Sequence, residues 1–162
     1  MTESDPASTP WTILVVHGPN LNLLGKRDPT RYGTITMAQI DDALATLAAE
    51  LGGRVECFQS NHEGAIIDFL QTDSSRASDG VLVNPGALIR YAYCFRQALV
   101  DLAKPVLEVH MSDIGQTGVN KKVNVLDDVR IGQVTGLKEA SYHEGLKQLV
   151  QYLKEQRQSC GT

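Results

Sequence analysis

The chain has 162 residues, with 15 Lys and Arg against 19 Asp and Glu, a formal net charge of −4. Hydrophobic residues at 42% and charged ones at 21% sit near the globular norm and exclude a disordered, collagenous or coiled-coil chain. There is no Lys/Arg-rich run to bind nucleic acid, and no apolar stretch reaches the roughly 20 residues of a membrane span.

The first ten residues, MTESDPASTP, are polar with two prolines and are expected to be a flexible tail, 1–10, ahead of a single domain over 11–158. They lack the basic start and apolar core of a secretory leader. Cys57, Cys94 and Cys160 are too scattered for a disulfide framework or a metal knuckle, so reduced thiols in a cytoplasmic protein are expected.

Trp11–Val16 (WTILVV) reads as a first strand, followed by about 18 residues, His17–Thr34, without periodicity. A stretch of that length in a compact domain marks a binding loop or lid. Met37, Ile40, Leu44, Leu47 and Leu51 then repeat at helical spacing, with a capping box at Thr36–Gln39 and a stop at Gly52-Gly53. Arg54–Phe58, Gly80–Val83, Pro105–His110 and Val129–Val134 read as further strands. Helices fall between and after them at Ile66–Leu70, at Phe95–Leu102, and from a second capping box at Ser141–Glu144 through Leu153. Strand and helix alternating five times predicts an α/β, flavodoxin-like, doubly wound five-stranded parallel sheet of order 2-1-3-4-5. In such a sheet ligands bind outside the carboxyl ends of the strands, near the switch point.

Two constellations sit at those ends. Glu108 and His110 alternate on one strand and project to the same side, so the carboxylate is placed to orient or charge the imidazole as a general acid or base. A satisfied structural histidine is the alternative. Tyr32 lies near Arg27 and Arg31 in sequence; a tyrosine is a poor base at neutral pH, and a guanidinium within a few ångströms favours phenolate. Ordinary solvated surface is the alternative there. His17, His62, His110 and His143 fall on different elements without ligand spacing, so no metal site is expected. The chain also lacks a Walker A loop, a GxGxxG turn and a nucleophile elbow.

Five segments taken together resemble the type II 3-dehydroquinate dehydratases: Gly18–Gly25 (GPNLNLLG), Arg27–Gly33 (RDPTRYG), Gln59–Gly64 (QSNHEG), Asn84–Ala87 (NPGA) and Glu108–Ser112 (EVHMS). The likeness continues to Gly136-Leu137 and Tyr142 and covers about residues 12–155. It implies a hydro-lyase that takes water from 3-dehydroquinate by anti elimination through an enolate, giving 3-dehydroshikimate, with no metal or other cofactor. It implies Tyr32 as the base, Arg27 as its activating cation and Asn20 as holder of the water or enolate oxygen. His110 is the implied acid with Glu108 behind it, and Asn84, Ser112 and the Met111 backbone receive the substrate carboxylate. The implied partner is a small cyclic hydroxy-keto acid, bound by a homo-oligomer, trimer or dodecamer.

The chain departs from the family pattern at His17, usually Asn, at Arg90, usually His, at Gln97, usually Asp, and at Lys121, usually Arg. Lysine is a point charge without the forked donors of arginine. Arg90 and Lys121 are therefore expected either to replace the usual contacts to the substrate ring or to mark a changed substrate. The alternatives are a paralogue that dehydrates a related cyclic β-hydroxy ketone acid and a non-catalytic ligand-binding protein on the same scaffold.

Overall fold

The computed structural model describes residues 9–115 and 123–161. Its sheet is built from β1 (Trp11–His17), β2 (Gly53–Gln59), β3 (Gly80–Asn84), β4 (Val106–His110) and β5 (Gly132–Thr135). All neighbours pair in parallel in the order β2-β1-β3-β4-β5, the order read from the sequence. The helices are α1 (Pro29–Tyr32), α2 (Met37–Glu50), α3 (Glu63–Leu70), α4 (Asp73–Arg76), α5 (Tyr93–Leu102) and α6 (Ala140–Cys160).

Strand alternation divides the core in two. Ile13, Val15, Leu82, Leu107 and Val109 face α2 and α6, packing with Ile40, Leu44, Tyr142, Leu146 and Leu149. Their neighbours Leu14, Val16, Val81, Val83 and Val106 face α3 and α5, against Ile66, Leu70, Phe95 and Leu99. Each fully buried aliphatic side chain here contributes about 1.5–3 kcal/mol of transfer free energy. Strands buried on both faces cannot alternate polar with apolar, which is why β1 and β3 are continuous apolar runs. On α6, Gly145 meets the sheet without a side chain: a Cβ there would lie 2.5 Å from Val109 Cγ1, so the helix rests directly on β4.

α2 starts as its sequence predicts. Thr36 Oγ1 accepts from the Gln39 backbone N–H, and Gln39 Oε1 accepts from the Thr36 N–H, a closed capping box. Three local expectations are corrected. The second capping box does not form: Ser141 Oγ accepts from the Leu137 N–H, and no side chain caps α6. β5 begins at Gly132 rather than Val129, because Val129 and Arg130 curl back to bond the Leu126 carbonyl. The 17–34 stretch is not structureless. It holds a 3-10 turn at Leu21–Leu23 and the single turn α1, and Leu21 and Leu24 are buried in the core beneath α2.

The carboxyl ends of β1, β3 and β4 therefore open at one edge of the sheet, where the strand order reverses between β1 and β3. Among the described residues no helix is long and apolar enough to cross a membrane.

Candidate active site

A cavity of about 240 Å³ lies at that edge. Asn20, Arg27, Tyr32, Asn84, Arg90, His110, Met111 and Ser112, each singled out from the sequence, all line it. Lys121 lies outside the described residues. Three guanidiniums, from Arg27, Arg31 and Arg90, face the cavity and no carboxylate among the described residues lines it, so its field favours an anionic ligand.

The chain reaches this geometry through short local devices. Gly18 passes against the next strand's turn: its N–H donates to the Asn84 carbonyl at 2.7 Å, and a Cβ would stand 2.5 Å from the Pro85 oxygen. Asn20 follows in the left-handed region, with φ of 71°, a conformation asparagine tolerates better than most residues. Its N–H donates to Asn61 Oδ1 at 2.9 Å, which ties the start of the loop to the end of β2. α1 opens with Asp28 accepting from the Thr30 N–H and hydroxyl, and Pro29 stands at its first position. The hydrogen bonds from Thr30, with the nearby Arg31 charge, hold the Asp28 carboxyl below the usual carboxylate range.

α1 carries Tyr32 to the cavity. Arg27 lies over its ring, 3.8 Å from the centroid, and donates from Nη2 to the phenol oxygen at 2.9 Å. Arg31 lies 5.4 Å from the same ring. Arg31, near Tyr32 in sequence but not among the residues the resemblance implies, stands in the cavity wall.

At the end of β4, Glu108 and His110 share a face as expected, and His110 Nε2 lies 2.6 Å from Glu108 Oε1. The carboxylate only accepts, so Nε2 carries the hydrogen and Nδ1 is the ring nitrogen left for the cavity. Glu108 is fully buried, with two further partners that the sequence did not reveal. Asn124 Nδ2 donates to both carboxylate oxygens at 2.8 and 3.1 Å, and Arg130 Nη1 lies 2.5 Å from Oε2. Arg130 sits inside the segment read as a fifth strand; its displacement into the turn before β5 is what lets it reach Glu108. Burial pushes the Glu108 carboxyl up, but the bonds from His110 and Asn124 and the charges of His110 and Arg130 outweigh it and hold the group below the usual range.

Arg130→Ala is therefore expected to cost about 3 kcal/mol of stability at neutral pH, the low end for stripping a buried charge of one partner. The sign with pH follows from the lowered carboxyl. The ionised form is favoured in the folded state, so this stabilisation is complete above the ordinary glutamate range, near about 4.3, and is lost as pH falls through the lower folded value. Denaturant titrations of wild type and variant at several pH values check it. The gap between them should close in acid, and a constant gap would contradict the assignment.

Known proteins share this sequence pattern and fold. The family model for class II dehydroquinase matches residues 11–150. The chain belongs to that family. It is accordingly an enzyme of the hydro-lyase class. The 3-dehydroquinate dehydratase of Roseiflexus castenholzii is 46% identical over 125 residues, which is 77% of this chain and 79% of that one. That of Leptothrix cholodnii is 46% identical over 138 residues, 85% and 93% of the two chains. The crystal structure of the type II dehydroquinase from Butyrivibrio crossotus superposes with a TM-score of 0.81 at 35% identity, covering 86% of this chain and 97% of that one.

Proposed function

We propose that this chain dehydrates 3-dehydroquinate to 3-dehydroshikimate, with Tyr32 as base and His110 as acid. The observation that carries the reading is that Arg27 with Tyr32, and His110 backed by the buried Glu108, meet at one cavity whose other polar groups suit an anionic, oxygen-rich ring. A hydrogen beside a ketone is weakly acidic, so its removal needs a positioned base and a donor for the developing enolate oxygen. Tyr32 takes that hydrogen as a proton, with the Arg27 guanidinium as counter-charge for its oxygen. Asn20 holds the enolate oxygen, directly or through water. The enolate electrons then form the new ring double bond as the β-hydroxyl departs, and His110, entering as the imidazolium with Nε2–H on Glu108, donates its Nδ1 proton to make it water. Exchange with solvent returns the proton from Tyr32 and restores the one lost from His110.

Asn84, Ser112 and the backbone at Met111 receive the ring carboxylate in this reading. Arg90 faces the ring hydroxyls while donating to the Val123 carbonyl at 2.8 Å, which ties the 3-10 turn Gly86–Arg90 after β3 to the segment before β5. We further propose a homo-oligomer, trimer or dodecamer, as the family resemblance implies, and, from the scattered cysteines, a cytoplasmic location. The test is direct: purified protein with 3-dehydroquinate should give a rising ultraviolet absorbance as the conjugated enone forms. Binding without turnover would favour the non-catalytic scaffold, and neither binding nor turnover would favour a paralogue with another cyclic β-hydroxy ketone acid.

A further inference from the structure

Asn84 is held at both ends of its amide. Oδ1 accepts from the Gly86 N–H at 3.3 Å, and one Nδ2 hydrogen goes to the Tyr142 hydroxyl at 3.0 Å. The second Nδ2 hydrogen is left for a cavity ligand. Behind Asn84 the bonds continue into the protein: Tyr142 Oη lies 2.8 Å from His17 Nδ1, and His17 Nε2 lies 2.7 Å from Asp41 Oδ1. His17 ends β1, Asp41 is on α2, and Tyr142 is on α6, so three elements converge on one side chain of β3.

What each atom is able to donate sets the direction of this chain. Asp41 as a carboxylate only accepts, so the hydrogen it shares with His17 sits on Nε2. A neutral imidazole protonated at Nε2 has a lone pair at Nδ1, and the Tyr142 hydroxyl donates to it. The Tyr142 oxygen is then free to accept from Asn84. Burial pushes the Tyr142 phenol far up, so it stays a hydroxyl with one hydrogen to place. Cys57, the other titratable group on Asp41, is pushed up to about 12 by burial and the Asp41 charge, and stays a thiol bonded to that carboxylate. With this arrangement no buried side-chain nitrogen or oxygen among the described residues lacks a partner.

His17, Asp41 and Cys57 also set three possible metal-ligand atoms within 4.8 Å of one another. A cation on Nε2 would move the ring hydrogen to Nδ1. Tyr142 would then accept from both His17 and Asn84, with its own hydrogen buried and unplaced. The donor inventory therefore assigns a proton to this position rather than a metal.

We propose that His17 is a positioning residue: by accepting the Tyr142 hydrogen at Nδ1, it fixes Asn84 with an N–H, not a carbonyl, toward the cavity. Without that acceptor, Tyr142 has only Asn84 to donate to. The amide then turns over, offers Oδ1 to Tyr142, gives up the bond from Gly86, and shows the cavity a face that no longer suits an anion. This rests on the reading of Asn84 as a receiver of the substrate carboxylate.

Two substitutions of the same residue separate positioning from simple packing. In His17→Asn the side-chain oxygen falls near the place of Nδ1 and still accepts from Tyr142. In His17→Gln the amide is carried past Tyr142 to the Asp41 end. His17→Gln and His17→Leu, which places no acceptor at Nδ1, are expected to raise KM for 3-dehydroquinate about tenfold or more, the scale of one hydrogen bond to a charged group, with kcat within about threefold. His17→Asn should stay within about threefold of wild type in both. In selectively ¹⁵N-Asn-labelled protein, the Asn84 side-chain amide signals should move in the first two variants and stay in the third. Far-UV circular dichroism at the assay temperature shows which variants are folded, and His17→Leu takes the place of His17→Gln in the comparison if the latter is not. Equal KM values and equal Asn84 signals for the Asn and Gln variants would overturn the proposal. If wild type turns over no 3-dehydroquinate, the reaction assignment fails instead, and the Asn84 signals still decide the positioning.

Discussion

Tyr32→Phe is expected to lower kcat on 3-dehydroquinate by about 10²–10⁴, the range a positioned base contributes. The substitution removes one oxygen and little else. Phenylalanine keeps the ring beneath the Arg27 guanidinium, 3.8 Å from its centroid, so the cation stays where it stands in wild type. Tyr32 is also only partly buried at the edge of the core, so folding stability should move by well under about 1 kcal/mol. KM should change little, because the carboxylate contacts proposed above lie at the ends of β3 and β4, not on α1. Steady-state kinetics beside a thermal melt check both parts. A rate within about threefold of wild type would remove Tyr32 as the base, and a large fall in melting temperature would show that the oxygen is structural.

The sheet was legible because its signals are local and redundant. Three of the strands are near-continuous apolar runs, and only a sheet covered on both faces uses such runs at this spacing. Boundaries failed where a residue serves a distant partner. Val129 and Arg130 have strand-like neighbours, yet Arg130 is needed at Glu108, so the chain turns before β5 begins. Ser141 has the spacing of a cap, yet its hydroxyl is spent on the Leu137 N–H in a fully buried position. The long loop after β1 misled for another reason. Leu21 and Leu24, three apart, are too short a pattern to read as an anchor, and only the packed core shows that they are one.

The cavity wall was legible to the extent that its residues fall at strand ends or in short motifs. Glu108 and His110 follow from alternation alone, and Tyr32 with Arg27 from proximity in the chain. The residues behind that wall were not. Asn124 and Arg130 reach Glu108 from 16 and 22 residues away, and Tyr142 reaches Asn84 across 58. No periodicity encodes such pairs, because each depends on how two separate elements dock. His17 shows the limit most clearly. In sequence it is one departure from a family pattern; in the structure it is the acceptor on which the orientation of Asn84 turns.

His110→Ala is expected to lower the rate of elimination by about 10²–10⁴ as well, but to leave a different trace from Tyr32→Phe. In the proposed mechanism the two residues act on different bonds. Tyr32 would break the carbon–hydrogen bond, and His110 would assist the departure of hydroxide, a poor leaving group without a proton. With His110 gone the enolate still forms, has no fast forward route, and returns to ketone by taking a proton back. In deuterium oxide that return carries solvent deuterium into the position beside the ketone. His110→Ala should therefore exchange this hydrogen faster than it eliminates water, whereas Tyr32→Phe should lose exchange and elimination together. Mass spectrometry of recovered substrate, sampled beside the absorbance assay, separates the two patterns. Stability after the substitution needs its own measurement, because alanine leaves Glu108 with Asn124 and Arg130 but without the imidazole. Those two partners should keep the buried carboxylate satisfied and the fold intact. Elimination at a near-normal rate in a folded His110→Ala protein would take His110 out of the mechanism, and loss of exchange in step with elimination would place it in the first step, not the second.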